Sequence, residues 1–165
     1  VTTERTPVPG CRVQPLGVMR YVPVASKAFI KRYLPEGFTA RAVAEAPSLA
    51  WNRDDALQDM LVRMLFRRDI ARRVHFVPTA EGFGGAVKGG SYGACIPKQS
   101  TAPSVRGGSF VRIADVHLDV PLYWQCWKLD NPMVKKITDA VSLAAADLRP
   151  CQSLGHPAAI ITVSD

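Results

Sequence analysis

The sequence is short of what marks a metalloprotein or a disulfide scaffold. Its four cysteines, Cys11, Cys95, Cys126 and Cys151, form no C-x-x-C pair, and its three histidines stand far apart. That spacing argues against a metal site and a dense disulfide framework, and it fits a reduced, cytoplasmic setting. Long hydrophobic runs are missing as well. No stretch reaches the ~18 apolar residues of a membrane span, and no basic stub with an apolar core opens the chain as a secretory signal. H-E-x-x-H and G-x-x-x-x-G-K-[ST] are absent, which removes the zincin helix and the phosphate loop. The chain opens on Val1 instead of methionine, which predicts a fragment or an unusual reading frame.

What is present is ordinary globular material. Apolar residues make up 47% and charged residues 21%, so 165 residues suffice for one domain or two small lobes. Basic residues number 21 against 14 acidic ones, a net charge of +7. Such an excess suits a nucleic-acid surface. Much of it, however, clusters at Arg63, Arg67, Arg68, Arg72 and Arg73, alternating with apolar residues, and reads first as a solvated helix face.

Strands and helices alternate along the chain. Pro15, Gly17 and Pro23 interrupt the valine-rich 11–25 stretch, which predicts a bent connection ending in a short strand, Met19 to Ala25. Ser26 caps a helix over Lys27 to Leu34, and Thr39 caps a second short one. Ser48 to Trp51 reads as a buried strand. Asn52 reads as the cap of a long helix, Arg53 to Arg72, with a Leu57, Met60, Leu61, Met64, Leu65 stripe. A strand at His75 to Val77 precedes a helix capped by Thr79 and closed by Gly89-Gly90, then a strand at Tyr92 to Ile96. Residues 98–108 read as a polar loop, and Ser109 to Ile113 and Pro121 to Leu129 as strands. Asn131 and Pro132 start a helix to about Leu148, with Met133, Ile137, Val141 and Ala144 on one face. The tail loses the pattern, although AAIITV could add an edge strand. The alternation predicts an open α/β sheet with helices on both faces, where ligands gather at strand-to-helix junctions.

No catalytic residue is expected. Cys126 and His117 could suggest a thiol nucleophile, but Cys126 alternates between Trp124 and Trp127 as a small packing residue would. Asp54 and Asp55 are explained by a helix first turn. The glycine-rich Gly82-Phe83-Gly84-Gly85 falls inside a helix and is a weak nucleotide signal. The junctions Ala25-Ser26-Lys27 and Pro78-Thr79-Ala80-Glu81 offer free N–H groups and a hydroxyl that could hold a carboxylate, with an acid nearby for an ammonium group. Plain helix capping explains the same residues.

The runs PVPGCRVQPLGVMRYVPVAS, APSLAWNRDDALQDMLV, HFVPTAEGFGGAVKGG and VHLDVPLYWQCWKLDNP resemble the effector-binding domain of LysR-type transcriptional regulators over about residues 1–148. The likeness is greatest to the ArgP/LysG branch, which answers to basic amino acids and controls their export. The resemblance implies a periplasmic-binding-protein-like α/β fold of two lobes with open sheets flanked by helices, the first lobe incomplete. Residues 1–18 and 114–148 would be what remains of lobe I, 19–113 lobe II, and 149–165 a divergent tail. It implies Ser26, Thr79, Ala80, Glu81 and Asp119 as effector contacts, with Glu81 and Asp119 facing the basic side chain. It further implies a lysine or arginine effector, self-association through effector domains and no cofactor. DNA would be contacted only through a helix-turn-helix domain that these residues do not include. A stand-alone solute-binding module, or a small α/β enzyme, is the competing expectation.

Overall fold

A computed structural model of the chain describes residues 1–150 and 160–163. Its elements run β1 (Cys11–Ala25), α1 (Lys27–Tyr33), α2 (Ala40–Glu45), β2 (Pro47–Ala50), α3 (Leu57–Phe66), β3 (Arg73–Phe76), α4 (Ala80–Lys88), β4 (Ala94–Pro97), α5 (Lys98–Arg106), β5 (Val111–Arg112), β6 (Val116–Trp127), α6 (Pro132–Ala144) and β7 (Ile160–Val163). One sheet has the order β4-β1-β6-β7 with β5 beside β1, and a second is the parallel pair β2-β3. The expected tail falls largely outside the described residues, apart from β7, an edge strand from AAIITV.

Four of the five expected caps are used. Ser26, Thr39, Thr79 and Asn131 each accept, through the side chain, from a backbone N–H two or three residues on. Each satisfies a donor that the helix itself leaves free.

Four expectations need correction. β1 is one continuous strand of 15 residues, not a bent connection. Pro15 is exposed, and Gly17 takes a φ of +144° that a glycine adopts at no steric cost. A Cβ at Gly17 would lie 2.5 Å from Leu148 Cβ and 2.8 Å from the Arg149 carbonyl, so the glycine admits a close chain approach, sealed by Val18 N–H donating to that carbonyl at 2.8 Å. The long helix is short: α3 starts at Leu57, and Asn52 turns its side chain to Asp54 N–H (2.9 Å) instead of capping a helix at Arg53. Asp55 accepts from the N–H groups of Trp51 (2.8 Å) and Leu57 (3.1 Å), which holds 51–56 as a loop. Arg67 in the left-handed region (φ 53°) ends α3, so Arg72 and Arg73 lie beyond it. Arg72 is not on a solvated face, for its side chain is buried and donates to Asp59 and to Ser48 Oγ. Finally, 98–108 is no loop but the helix α5, with Pro103 inside it and Gly107 closing it on the Pro103 carbonyl.

Smaller boundary shifts follow the same logic. Strand β5 has only two residues and β6 begins at Val116, five earlier than expected. Helix α6 stops at Ala144, and Thr138, which takes the Trp124 indole N–H at 3.0 Å, turns the half-buried Val134 and Val141 inward and leaves Met133 and Ile137 exposed.

The chain divides into two compact units, Val1–Arg20 with Asp119–Ile160 (unit 1) and Tyr21–Leu118 with Ile161–Asp165 (unit 2). Unit 2 buries apolar side chains on both faces of its strands. Val22 and Val24 of β1 pack with Leu49, Phe83, Val87 and Ile96, while Ala25 packs with Phe29, Leu34 and Ala46. Cys95 joins Leu61 and Val116 in a third cluster. In unit 1, Arg20 makes a bidentate pair with Asp119, both contacts 2.7 Å, and Arg149 approaches the same carboxylate at 3.6 Å.

Candidate binding site

Unit 2 carries a concavity of about 910 Å³, within the range of small-molecule sites. Its walls come from four places: Trp51, Asn52, Asp54 and Asp55 of the loop after β2; the start of α3 with Gln58; Ala80, Glu81 and Phe83 of α4; and Cys95 to Pro97 leading into Ser100 and Ser104 of α5. Tyr21, Lys88 and Phe110 complete it.

Hydrogen bonds fix these walls. Gln58 spans from α3 to β4, its Nε2 donating to the Cys95 carbonyl (3.2 Å) and its Oε1 accepting from Cys95 N–H (2.8 Å). Because β4 lies at a sheet edge, this amide supplies the partner that a further strand would give. Gly84 and Gly85 leave open space where a Cβ would sit. Each glycine costs a helix interior roughly 1 kcal/mol against alanine, so the opening is kept at the expense of helix propensity. Gly82 differs: its Cβ would meet Thr79 Oγ1 at 2.7 Å and Val77 Cγ1 at 2.9 Å. The glycine-rich run is thus explained by packing and openness and not by a phosphate.

The acidic wall dominates the field. Burial, and then the Asp55 carboxylate, push the Cys95 thiol up to about 12. Burial, Cys95 and Asp55, in that order, raise the Tyr21 hydroxyl as well. Asp54 and Glu81 have no side-chain partner among the described residues, and the lining sets three carboxylates, with Asp55, against the one ammonium of Lys88. A wall of this sign favours a cation.

Of the residues singled out from the sequence, Ala80 and Glu81 line the concavity. Thr79 stands behind them as the cap of α4, its Oγ1 accepting from Gly82 N–H at 3.2 Å. Ser26 is buried as the cap of α1, accepting from Phe29 N–H at 3.2 Å, and Gly90 closes over it where a Cβ would come within 3.0 Å of Oγ. Asp119 belongs to unit 1 and is engaged with Arg20 and Arg149. Trp51, Asp54 and Asp55 were hidden by assignment to a strand end and a helix first turn. A tryptophan and two acids within five residues was the available signal. The run Gly89-Gly90-Ser91-Tyr92-Gly93 has the G-x-S-x-G spacing. It runs from helix α4 toward strand β4, the reverse of the strand-to-helix turn a nucleophile elbow requires. No cluster of three metal-ligating side chains occurs among the described residues.

No protein-family profile matches the chain. The HTH-type transcriptional regulator LysG of Mycobacterium tuberculosis is 63% identical over 148 residues, which is 90% of this chain and 49% of the relative. Full-length LysG from Corynebacterium glutamicum, solved with bound effector Arg, is similar with a TM-score of 0.77 and 36% identity over 90% of this chain and 51% of that one. The chain spans about half the length of the curated relatives it matches. The C-terminal domains of a LysR family protein from Agrobacterium tumefaciens give a TM-score of 0.85 and 35% identity over 90% of this chain and 73% of that one. The open sheets described above are thus those of the periplasmic-binding-protein-like regulatory domains, and the chain belongs to the LysR family of regulators.

Proposed function

We propose that the chain is the effector-sensing part of a transcriptional regulator of basic amino-acid export, and that arginine or lysine binds in the unit 2 concavity. The observation that carries this is the wall holding Asp54 and Glu81 beside Ala80, two carboxylates without side-chain partners among the described residues. A basic amino acid needs acids for its side chain and donors for its carboxylate. Lys88 and the hydroxyls of Ser100 and Ser104 supply the donors. Glu81 carries the cation in this reading, whereas Asp119 already accepts from Arg20 and has the Arg149 guanidinium 3.6 Å away, so it gains less from a third cation. Ser26 and Thr79 contribute by fixing the helix starts.

The rest of the role follows from the relatives. DNA contact is assigned to the portion of those regulators that this chain does not span, and action on DNA implies a cytoplasmic setting. Self-association through the effector domain and a non-catalytic role belong to the same reading. Among the described residues no helix is long and apolar enough to cross a membrane.

Calorimetric titration of the chain with arginine, lysine and leucine tests the site. Glu81→Gln is expected to weaken the two basic ligands by one to two decades, since a charge-assisted hydrogen bond contributes roughly 1.5–3 kcal/mol. Leucine binding should not change. A shift of less than about twofold for arginine and lysine would remove Glu81 from the site.

A further inference from the structure

We propose that Trp51 is a specificity-determining residue of the concavity, presenting its indole face to the effector side chain and favouring a guanidinium over an ammonium, so that the site prefers arginine to lysine. The inference rests on the basic amino-acid reading above and adds what separates the two cations. Trp51 follows the buried Leu49 and Ala50, yet its own large apolar side chain remains 43% exposed and lines the concavity with Asp54 and Glu81. Its place is fixed. Asp55 accepts from Trp51 N–H at 2.8 Å and from Leu57 N–H at 3.1 Å, and the Phe83 ring backs the indole at 6.4 Å between centroids, tilted 33°. The same loop already makes a contact of this kind, for the Arg53 guanidinium lies 5.6 Å from the centre of the Phe76 ring.

Carboxylates attract either cation, so the acidic wall alone does not discriminate. An aromatic face does. A guanidinium is planar and weakly hydrated, and it stacks on an indole while its edge N–H groups reach acids. An ammonium is compact and strongly hydrated, and it loses more water than it regains on a ring.

The test is calorimetric titration of the full chain and its variants with free arginine and free lysine. The unsubstituted chain should prefer arginine. Trp51→Leu should weaken arginine about tenfold and lysine about twofold or less. Trp51→Phe keeps a ring with a weaker face and decides the matter if Trp51→Leu does not fold; its arginine-to-lysine ratio should fall about threefold. If the ratio is unchanged in the folded variants while the unsubstituted chain binds both ligands, the Trp51 assignment is overturned and the acidic site stands. If the unsubstituted chain binds neither amino acid, the basic amino-acid reading falls and this inference with it.

Discussion

At Cys95 burial and the Asp55 carboxylate act in the same direction, and both disfavour the thiolate. The thiol ordinarily titrates near 9.0 and is pushed up to about 12 in the folded chain. An acid whose folded pKa is raised stays protonated in the folded state after ionising in the unfolded one. Above 9.0 the folded chain therefore binds more protons, and stability declines with rising pH. The contribution is fully present below 9.0 and is lost as pH climbs toward about 12. Tyr21, raised by the same surroundings, extends the decline. Thermal melts across this range should show a level Tm through neutral pH and a fall above about pH 9, shallower in Cys95→Ala. Parallel curves for the two proteins would show that Cys95 does not set the alkaline limit.

Among the elements, α3 and β4 are joined by the Gln58 side chain. Removing it leaves the Cys95 N–H and carbonyl without that partner at a buried position, and such orphaned groups cost roughly 1–3 kcal/mol each. Gln58→Ala should accordingly lower the urea midpoint by an amount equivalent to about 2–6 kcal/mol. A loss below about 1 kcal/mol would mean that water replaces the amide. This clamp was not legible, because a glutamine on a helix reads as a surface residue until the sheet edge it serves is known. Helix α5 was hidden for a related reason. Its one buried residue is the polar Thr101, so no apolar period marks it, and Pro103 argues against it. The caps were legible because a hydroxyl or carboxamide meets an N–H two or three residues away, a contact that sequence spacing alone specifies. The arginine run misled because it continued the apolar period of α3 past Arg67, where the chain had already turned. Glu81 was legible as a candidate through its place beside a cap, whereas Asp54 and Trp51 sit in a loop that the Asp55 carboxylate holds through the N–H groups of Trp51 and Leu57, residues that also read as a strand end and a helix first turn.

For the whole molecule, the excess of seven positive charges opposes association, whereas the apolar surface of unit 1 favours it. Helix α6 contains no buried residue, and Met133, Ile137 and Leu143 are exposed, as are Trp127 and Leu129 before it. Sequential exposure of this kind favours self-association. Sedimentation velocity should show mass rising with concentration, and the double substitution Met133→Lys, Ile137→Glu should suppress it without lowering Tm. A monomer at every concentration would assign that surface no role in assembly. The alternation of β1 acts on the same global scale. Val22 and Val24 serve one core, Ala25 another, and Pro23 points with Ala25 toward the cavity lined by Phe29 and Leu34. The strand therefore has a parity: deleting one residue ahead of Val22 would exchange the occupants of two cores, sending valines into space shaped for proline and alanine. Deleting two would restore each side chain type to its own face. Natural variation in the length of this strand should hence come in even steps, or not at all.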